Sequence, residues 1–183
     1  MKSNLQIISG KYRGKKLFLP EDARPTQNMA RGALFNMLNE ILDTERPIAV
    51  WDVFAGSGAF GIECISRYHD CMVVFTDIAN SSLSAVKMNL LSINEHATIE
   101  KLDALSAVNK FGGISDLMFI DPPYSEFGLG VSFVKKMTDT AKSGAVLIWE
   151  LENINEVPNI SDKWEILKDK TYGRARFLIL RKK

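Results

Sequence analysis

Asp121, Pro122, Pro123 and Tyr124 follow directly on the apolar run DLMFI (116–120) and couple an acid and an aromatic to a stiffened backbone. Each proline holds φ at about −65°, and Asp121, preceding a proline, is kept out of the helical region, so a carboxylate and a carbonyl are oriented before any substrate arrives. Two fixed acceptors suit the holding of an NH2 group. The exocyclic amine of a nucleobase is a poor nucleophile because its lone pair is delocalised into the ring. If the Asp121 carboxylate and the Pro122 carbonyl accept its two protons, the nitrogen is held in place and drawn toward a tetrahedral shape, with its lone pair aimed at an electrophile. Tyr124 can stack on the base. Positioning of this kind is worth up to about 7 to 11 kcal/mol, and one oriented group on the order of 3 kcal/mol. A Pro-Pro pair alone is no more than a rigid turn; its place at a strand exit is what points to a site.

A second group, Asp52-Val53-Phe54-Ala55-Gly56-Ser57-Gly58-Ala59-Phe60-Gly61, leaves a strand, turns tightly and enters a helix. Gly56 and Gly58 permit backbone conformations that a side chain opposes, and let a ligand come close to the main chain. The helix start offers unpaired N–H groups, and in an open α/β sheet ligands bind beyond the carboxyl ends of the strands. Residues 56–61 also spell G-x-G-x-x-G, so the turn by itself suits either NAD or S-adenosylmethionine. Only the second carries a sulfonium methyl, the electrophile that a held amine can attack. Asp77 ends the next strand, 21 residues after Gly56, where a carboxylate accepts both ribose hydroxyls in either kind of site. Asn80, Ser81 and Ser82 are better placed to cap the helix that follows, which leaves Asp77 for the ribose. Asp103 is either an adenine-side contact or an N-cap, and Asp52 either faces the ligand's amino group or fixes the turn.

These groups need a scaffold. Apolar runs at 48–53, 72–77, 98–102, 116–121 and 145–150 alternate with helical patterns at 59–68, 81–92 and about 127–141, with a shorter one after Asp103. Continuous apolar strands separated by helices predict a parallel sheet covered on both faces. Segments 164–170 and 175–181, split by Tyr172-Gly173, predict an antiparallel hairpin at one edge. Before this, Leu5, Ile7 and Ile8, then Leu17 and Leu19, flank the turn-like residues 9–14 and predict a short hairpin ended by Pro20 and Pro25. From Thr26 as N-cap, apolar residues at 30, 33, 34, 37, 38, 41 and 42 predict one amphipathic helix to about Asp43. The chain therefore divides into an N-terminal hairpin and helix (1–46) and an α/β domain (47–183).

The 183 residues are 46% hydrophobic and 25% charged, a balance that excludes disordered and collagen-like chains. No apolar stretch approaches a bilayer span, and the start (Met1, Lys2, Ser3, Asn4) lacks a secretion signal, so a cytoplasmic protein without a membrane partner is expected. Cys64, Cys71, His69 and His96 suit neither a disulfide framework nor a metal site. The net charge of +1 conceals +3 over residues 1–46, −8 over 47–162 and +6 over 163–183. Cations with interleaved aromatics near the start, Lys11, Tyr12, Arg13, Lys15, Lys16 and Phe18, are what a phosphate-tracking, base-stacking surface needs.

The turn DVFAGSGAFGIE together with DPPY resembles the class I S-adenosylmethionine-dependent methyltransferases that act on exocyclic amines. More narrowly, IISGKYRGKKL, RPTQNMARGALFN, FAGSGAFGIECISR, LDAL and FIDPPY resemble the RsmD family of 16S rRNA (guanine-N2)-methyltransferases over nearly the whole chain. The resemblance implies a Rossmann-like seven-stranded sheet with helices on both faces, an antiparallel C-terminal hairpin and a small N-terminal extension that contacts RNA. It implies catalysis at Asp121, Pro122, Pro123 and Tyr124. Cofactor contacts follow at Asp52, Ala55, Gly56, Ser57, Gly58, Asp77, Ile78, Asp103, Ala104 and Asp121, and RNA contacts at Tyr12, Arg13, Lys15, Lys16, Arg24 and Arg31. The implied partner is 16S rRNA, within an assembling small ribosomal subunit, met by a monomer that needs no metal. The chain departs from the family at Asn28, Met29, Ala30 and Gly32, where the family's helix has Asp, Arg, Val and Glu. It departs again at Arg174-Ala175, where the family has Asp-Thr.

Overall fold

Each apolar run is a strand in the computed structural model, which describes residues 5–20, 28–157, 159–160 and 162–183. The strands are β1 (Ile48–Asp52), β2 (Cys71–Asp77), β3 (Thr98–Lys101), β4 (Leu117–Ile120), β5 (Val146–Glu152), β6 (Trp164–Tyr172) and β7 (Ala175–Lys182). They form one sheet in the order β3-β2-β1-β4-β5-β7-β6. The first five are parallel, and β7 runs antiparallel between β5 and β6. β5 outlasts its predicted end by two residues because the edge hairpin pairs with it there, Leu151 opposite Arg176 and Glu152 opposite Ala175.

Helices cover both faces. On one side α1 (Asn28–Ile41), α2 (Ala59–Arg67) and α3 (Asn80–Ser92) bury Leu34, Phe35, Leu38, Phe60, Ile62 and Val86 against Val50, Phe75, Leu117 and Ile148. On the other, α4 (Ala104–Ala107), its π-helical continuation Val108–Gly112 and α5 (Phe127–Thr140) pack on Trp51, Met118, Leu147 and Trp149. The short helix expected after Asp103 is thus a single turn that widens into π geometry.

The N-terminal hairpin is reduced to one bridge, Gln6 opposite Lys16, with a few flanking bonds such as Ile7 N–H to the Lys15 carbonyl (2.9 Å). With so little ladder it relies on other partners. Leu5, Ile7 and Leu17 join the core shared by α1 and the sheet. The buried Glu63 of α2 accepts the N–H groups of Ile8 (2.8 Å) and Ser9 (2.9 Å) as well as Nε of Arg67 (2.7 Å), with Arg31 Nε at 3.9 Å. Asn89 of α3 accepts from Phe18 N–H and donates to the carbonyls of Phe18 and Ser57. Buried polar side chains of this kind satisfy backbone that an irregular loop otherwise leaves unpaired. Arg24, Pro25 and Thr26 lie outside the described residues.

Gly32 sits within α1 where an added Cβ meets nothing within 4 Å. With room for the methyl group, only the backbone freedom of glycine remains as a cost, about 1 kcal/mol against alanine. Gly32→Ala is expected to raise the melting temperature by about 2–4 °C in a thermal scan; an unchanged or lower value would show that the position serves something other than the helix.

Candidate active site

Acids end four neighbouring strands, Asp52 on β1, Asp77 on β2, Asp121 just beyond β4 and Glu150 near the end of β5. The register aligns three of them. Asp52 pairs with Phe119, Phe119 with Ile148, and Glu150 with Phe177. Because side chains alternate along a strand, Asp121 and Glu150, each two residues further on, return to the sheet face of Asp52 and Phe119. A cleft of about 110 Å³ opens there, lined by Asp52, Gly56, Phe119, Asp121, Glu150 and, from α1, Arg31. Phe60 and Phe119 stack in its wall, centroids 4.3 Å apart and 14° from parallel.

The glycine turn borders this cleft. Gly56 (φ 52°) and Gly58 (φ 76°) adopt the left-handed backbone, and the space beside Gly56 is open, its nearest neighbour being the Phe54 carbonyl at 4.0 Å. Ala55 and Ser57 lie beside them and are buried. Gly61 serves packing: a Cβ there would lie 2.4 Å from the Phe75 ring. Its N–H donates to Asp52 Oδ2 at 3.0 Å, so Asp52 fixes the start of α2 while also facing the cleft. Burial, and next the charges of Asp121 and Asp77, push the Asp52 carboxyl up to about 8 against the pull of that N–H.

Asp77 is not left unengaged as the sequence implied. Its oxygens accept the N–H of Gly56 (2.9 Å) and of Ala79 (2.9 Å), while Asn80, Ser81 and Ser82 make no cap, α3 starting without one. Asp77 therefore staples the glycine turn to the next loop, and each of its oxygens keeps a lone pair. Ile78 beside it is 67% exposed, a large apolar side chain held in solvent, and neither residue is among those lining the cleft. Asp103 N-caps α4, accepting Ser106 N–H at 3.0 Å, and Ala104 is buried beneath it.

At the exit of β4, Pro122 is buried and Pro123 exposed with φ −49° and ψ 135°. The Pro123 carbonyl accepts Glu126 N–H at 2.7 Å and starts the 3₁₀ turn Tyr124–Glu126. Among the described residues, nothing donates to the Pro122 carbonyl or to the Asp121 carboxylate. Burial raises the Asp121 carboxyl well above the usual carboxylate range. Glu150, 4% exposed, is raised too, by burial and then by Asp121, with the Tyr124 hydroxyl opposing. The Tyr124 ring is half-buried, with the Arg174 guanidinium 5.9 Å from its centre and Arg174 in turn paired to Glu152 at 2.5 Å. One of the positions at which the chain departs from the family it resembles thus reaches a residue of the motif.

The expected RNA contacts separate. Arg13, Lys15 and Lys16 are exposed. Tyr12 is half-buried, its hydroxyl donating to Glu95, to which Lys11 Nζ also pairs at 3.2 Å. Arg31 is interior, 3% exposed, and donates to the Gln6 carbonyl. Sequence reasoning missed Glu150 and Glu63. For Glu150 a signal exists: VLIWE, like IAVWD and FTD, is an apolar run ending in an acid. Glu63 has none, because an acid inside a helix reads as an exposed one.

Known proteins share this chain's sequence pattern and fold. The ribosomal RNA small subunit methyltransferase D of Escherichia coli is 29% identical over 178 residues, 94% of this chain and 87% of that protein. The protein of that name in Haemophilus influenzae is also 29% identical, over 94% and 91%. The solved E. coli protein yhhF superposes with a TM-score of 0.80 at 28% identity over 97% of each chain. The Thermus thermophilus 16S rRNA N2 G1207 methyltransferase shares the fold, with a TM-score of 0.69 at 19% identity over 89% of this chain and 45% of that one. The sheet is that of the class I methyltransferases. A family model described as Conserved hypothetical protein 95 matches residues 5–181, and the chain belongs to that family, the RsmD family whose motifs it carries.

Proposed function

We propose that the protein transfers a methyl group from S-adenosylmethionine to the exocyclic N2 amine of a guanine in the 16S rRNA of the small ribosomal subunit. The observation that carries this reading is the pair of unengaged acceptors at the β4 exit, the Asp121 carboxylate and the Pro122 carbonyl, beside the open glycine turn. Relatives of matching length carry names that specify small-subunit rRNA.

The donor set favours a cationic ligand over a dinucleotide. Asp52, Asp77 and Asp121 surround the turn, and their mutual repulsion is part of what raises the Asp52 carboxyl. A sulfonium or ammonium group relieves that repulsion, whereas a pyrophosphate adds to it. The residues fit an adenosyl group, with Asp77 toward the ribose hydroxyls and Ile78 and Asp103 beside the base. Bound there, S-adenosylmethionine supplies a methyl carbon already activated for in-line displacement, with the electron pair of the broken bond leaving on sulfur. Asp121 and Pro122 orient the amine, Tyr124 stacks on the base, and Asp121 receives the proton that the nitrogen sheds as its new bond forms. NAD binding by calorimetry without S-adenosylmethionine binding would overturn this assignment.

Removal of the gene is expected to yield 16S rRNA lacking one N2-methylguanine, restored by the wild-type chain and not by Asp121→Ala; mass spectrometry of nuclease digests reads the result. A missing methyl on adenine or cytosine would move the target to another amine. The exposed Arg13, Lys15 and Lys16 of the N-terminal hairpin are assigned to RNA phosphates, and the interior Arg31 to the cleft. Replacing Arg13, Lys15 and Lys16 with alanine is expected to weaken RNA binding and flatten its log–log salt slope by roughly 0.7 to 0.9 for each phosphate no longer neutralised. A slope equal to that of the wild type would place the RNA on another surface.

A further inference from the structure

We propose that Glu150 is a specificity-determining residue that reads the ring N1–H of guanine, so that three acceptors in a row, the Pro122 carbonyl, Asp121 and Glu150, meet the three donors of guanine's N2 and N1. This rests on the methyl-transfer reading above and deepens it. Glu150 is 4% exposed, and among the described residues its Oε2 has no hydrogen-bond partner although it is buried. A buried carboxylate oxygen without a donor is costly and is retained where a ligand supplies the donor. The strand register places Glu150 beside Asp121, one position past the Ile120–Trp149 pair, on the same sheet face, and both line the same cleft.

The chemistry of the bases then decides. Guanine, adenine and cytosine each carry an exocyclic amine next to at least one ring nitrogen. Only guanine has a hydrogen on the ring nitrogen next to the amine; adenine N1 and cytosine N3 present a lone pair there. With an amine seated on Asp121 and Pro122, a lone pair facing Glu150 meets an acceptor, leaves both desolvated, and is rejected. The groups facing Glu150 are consistent with an acceptor role. The Tyr124 hydroxyl lies beside it and favours its ionised form, and Arg174 sits over the outer face of the Tyr124 ring. Burial first, and then Asp121, opposes ionisation in the empty site, and the donors of guanine, bonding to both carboxylates, favour their ionised forms. A site built to bond a substrate N–H rejects an analogue lacking it by orders of magnitude.

The test uses the full chain and its mapped rRNA target, rebuilt by ligation with either guanine or 2-aminopurine at the modified position. 2-Aminopurine keeps the N2 amine and replaces N1–H by a lone pair. The wild type is expected to prefer guanine by at least about 100-fold in kcat/KM. Glu150→Gln, isosteric and able to donate to a ring nitrogen, is expected to lower that preference at least tenfold. Its S-adenosylmethionine affinity and melting temperature are expected to match those of the wild type. A wild type that methylates both bases equally overturns the proposal without any variant, as does a Glu150→Gln protein that binds S-adenosylmethionine normally and keeps the full preference. Failure of the underlying reading has a different signature: the wild type then leaves this guanine unmethylated and marks an adenine or cytosine.

Discussion

Asp121→Asn is expected to slow methyl transfer by about 10²- to 10³-fold, about 2.7 to 4 kcal/mol on the barrier, the range for loss of one preorganised polar group at a reacting centre. The substitution keeps volume and shape, and its carbonyl oxygen can still accept a hydrogen bond, but no carboxylate remains to hold the amine by charge and to take the proton that it sheds. S-adenosylmethionine binding is expected to persist, weakened by less than the rate because one of the three acids that favour its positive charge is lost while the turn at Gly56 and the Asp77 staple are untouched. The wild-type rate is also expected to carry an acid limb above the ordinary carboxylate range. Burial raises the Asp121 carboxyl and, with it, Glu150. The form that accepts hydrogens is the deprotonated one, so kcat/KM rises with pH through the apparent values of the pair and levels off above them. Asp52, Glu152 and Arg174 face the same region and contribute to where the limb falls. In Asp121→Asn the limb changes position because one of its two acids is gone. Single-turnover assays across pH, with calorimetry of the cofactor, check both. A variant within twofold of the wild-type rate would remove Asp121 from the chemistry.

Glu63→Ala is expected to cost about 3 to 5 kcal/mol of stability, the range for removing one partner of a buried ion pair. Glu63 is fully buried and serves Ile8 N–H, Ser9 N–H and Arg67 directly, with Arg31 3.9 Å away. Alanine leaves two backbone donors without their acceptor, weakens the support of two guanidinium groups and opens space under the N-terminal hairpin. At about 2–4 °C per kcal/mol, the melting temperature is expected to fall by roughly 6 to 20 °C. Hydrogen exchange at Ile8 and Ser9 should accelerate more than in the sheet, since the hairpin has one bridge to fall back on. A loss below about 1 kcal/mol would mean that water substitutes for the carboxylate. Because the hairpin carries Arg13, Lys15 and Lys16, the same variant is expected to weaken RNA binding while leaving the glycine turn in place.

The strands and most helices were legible in the sequence because their signal is local. An apolar run such as MVVF or LMFI commits to a buried parallel strand wherever it falls, and the strand boundaries moved by only a residue or two, as where β5 reaches Glu152 because β7 pairs with it. The exit motif at Asp121 and the glycine turn were legible for a similar reason. Proline and glycine restrict or release φ regardless of tertiary context, so DPPY and GSG announce their geometry in the chain itself.

Roles that depend on what lies across space were not. Asp77 reads as unengaged beside three better caps, and becomes a staple only when β1 and β2 bring Gly56 N–H within 2.9 Å. The resemblance gives Arg31 as an RNA contact, and only the folded chain shows it as an interior group lining the cleft. Glu63 reads as an ordinary helical acid, and is the anchor of a segment more than fifty residues away in sequence. Residue types and their order were enough to establish the chemistry available, an oriented acceptor pair and a turn open to a ligand, since both are set by backbone restrictions of single residues. Which acids share one face was left to the folded sheet. That depends on strand register, which a one-residue slip would reverse, and it is register that sets Glu150 next to Asp121.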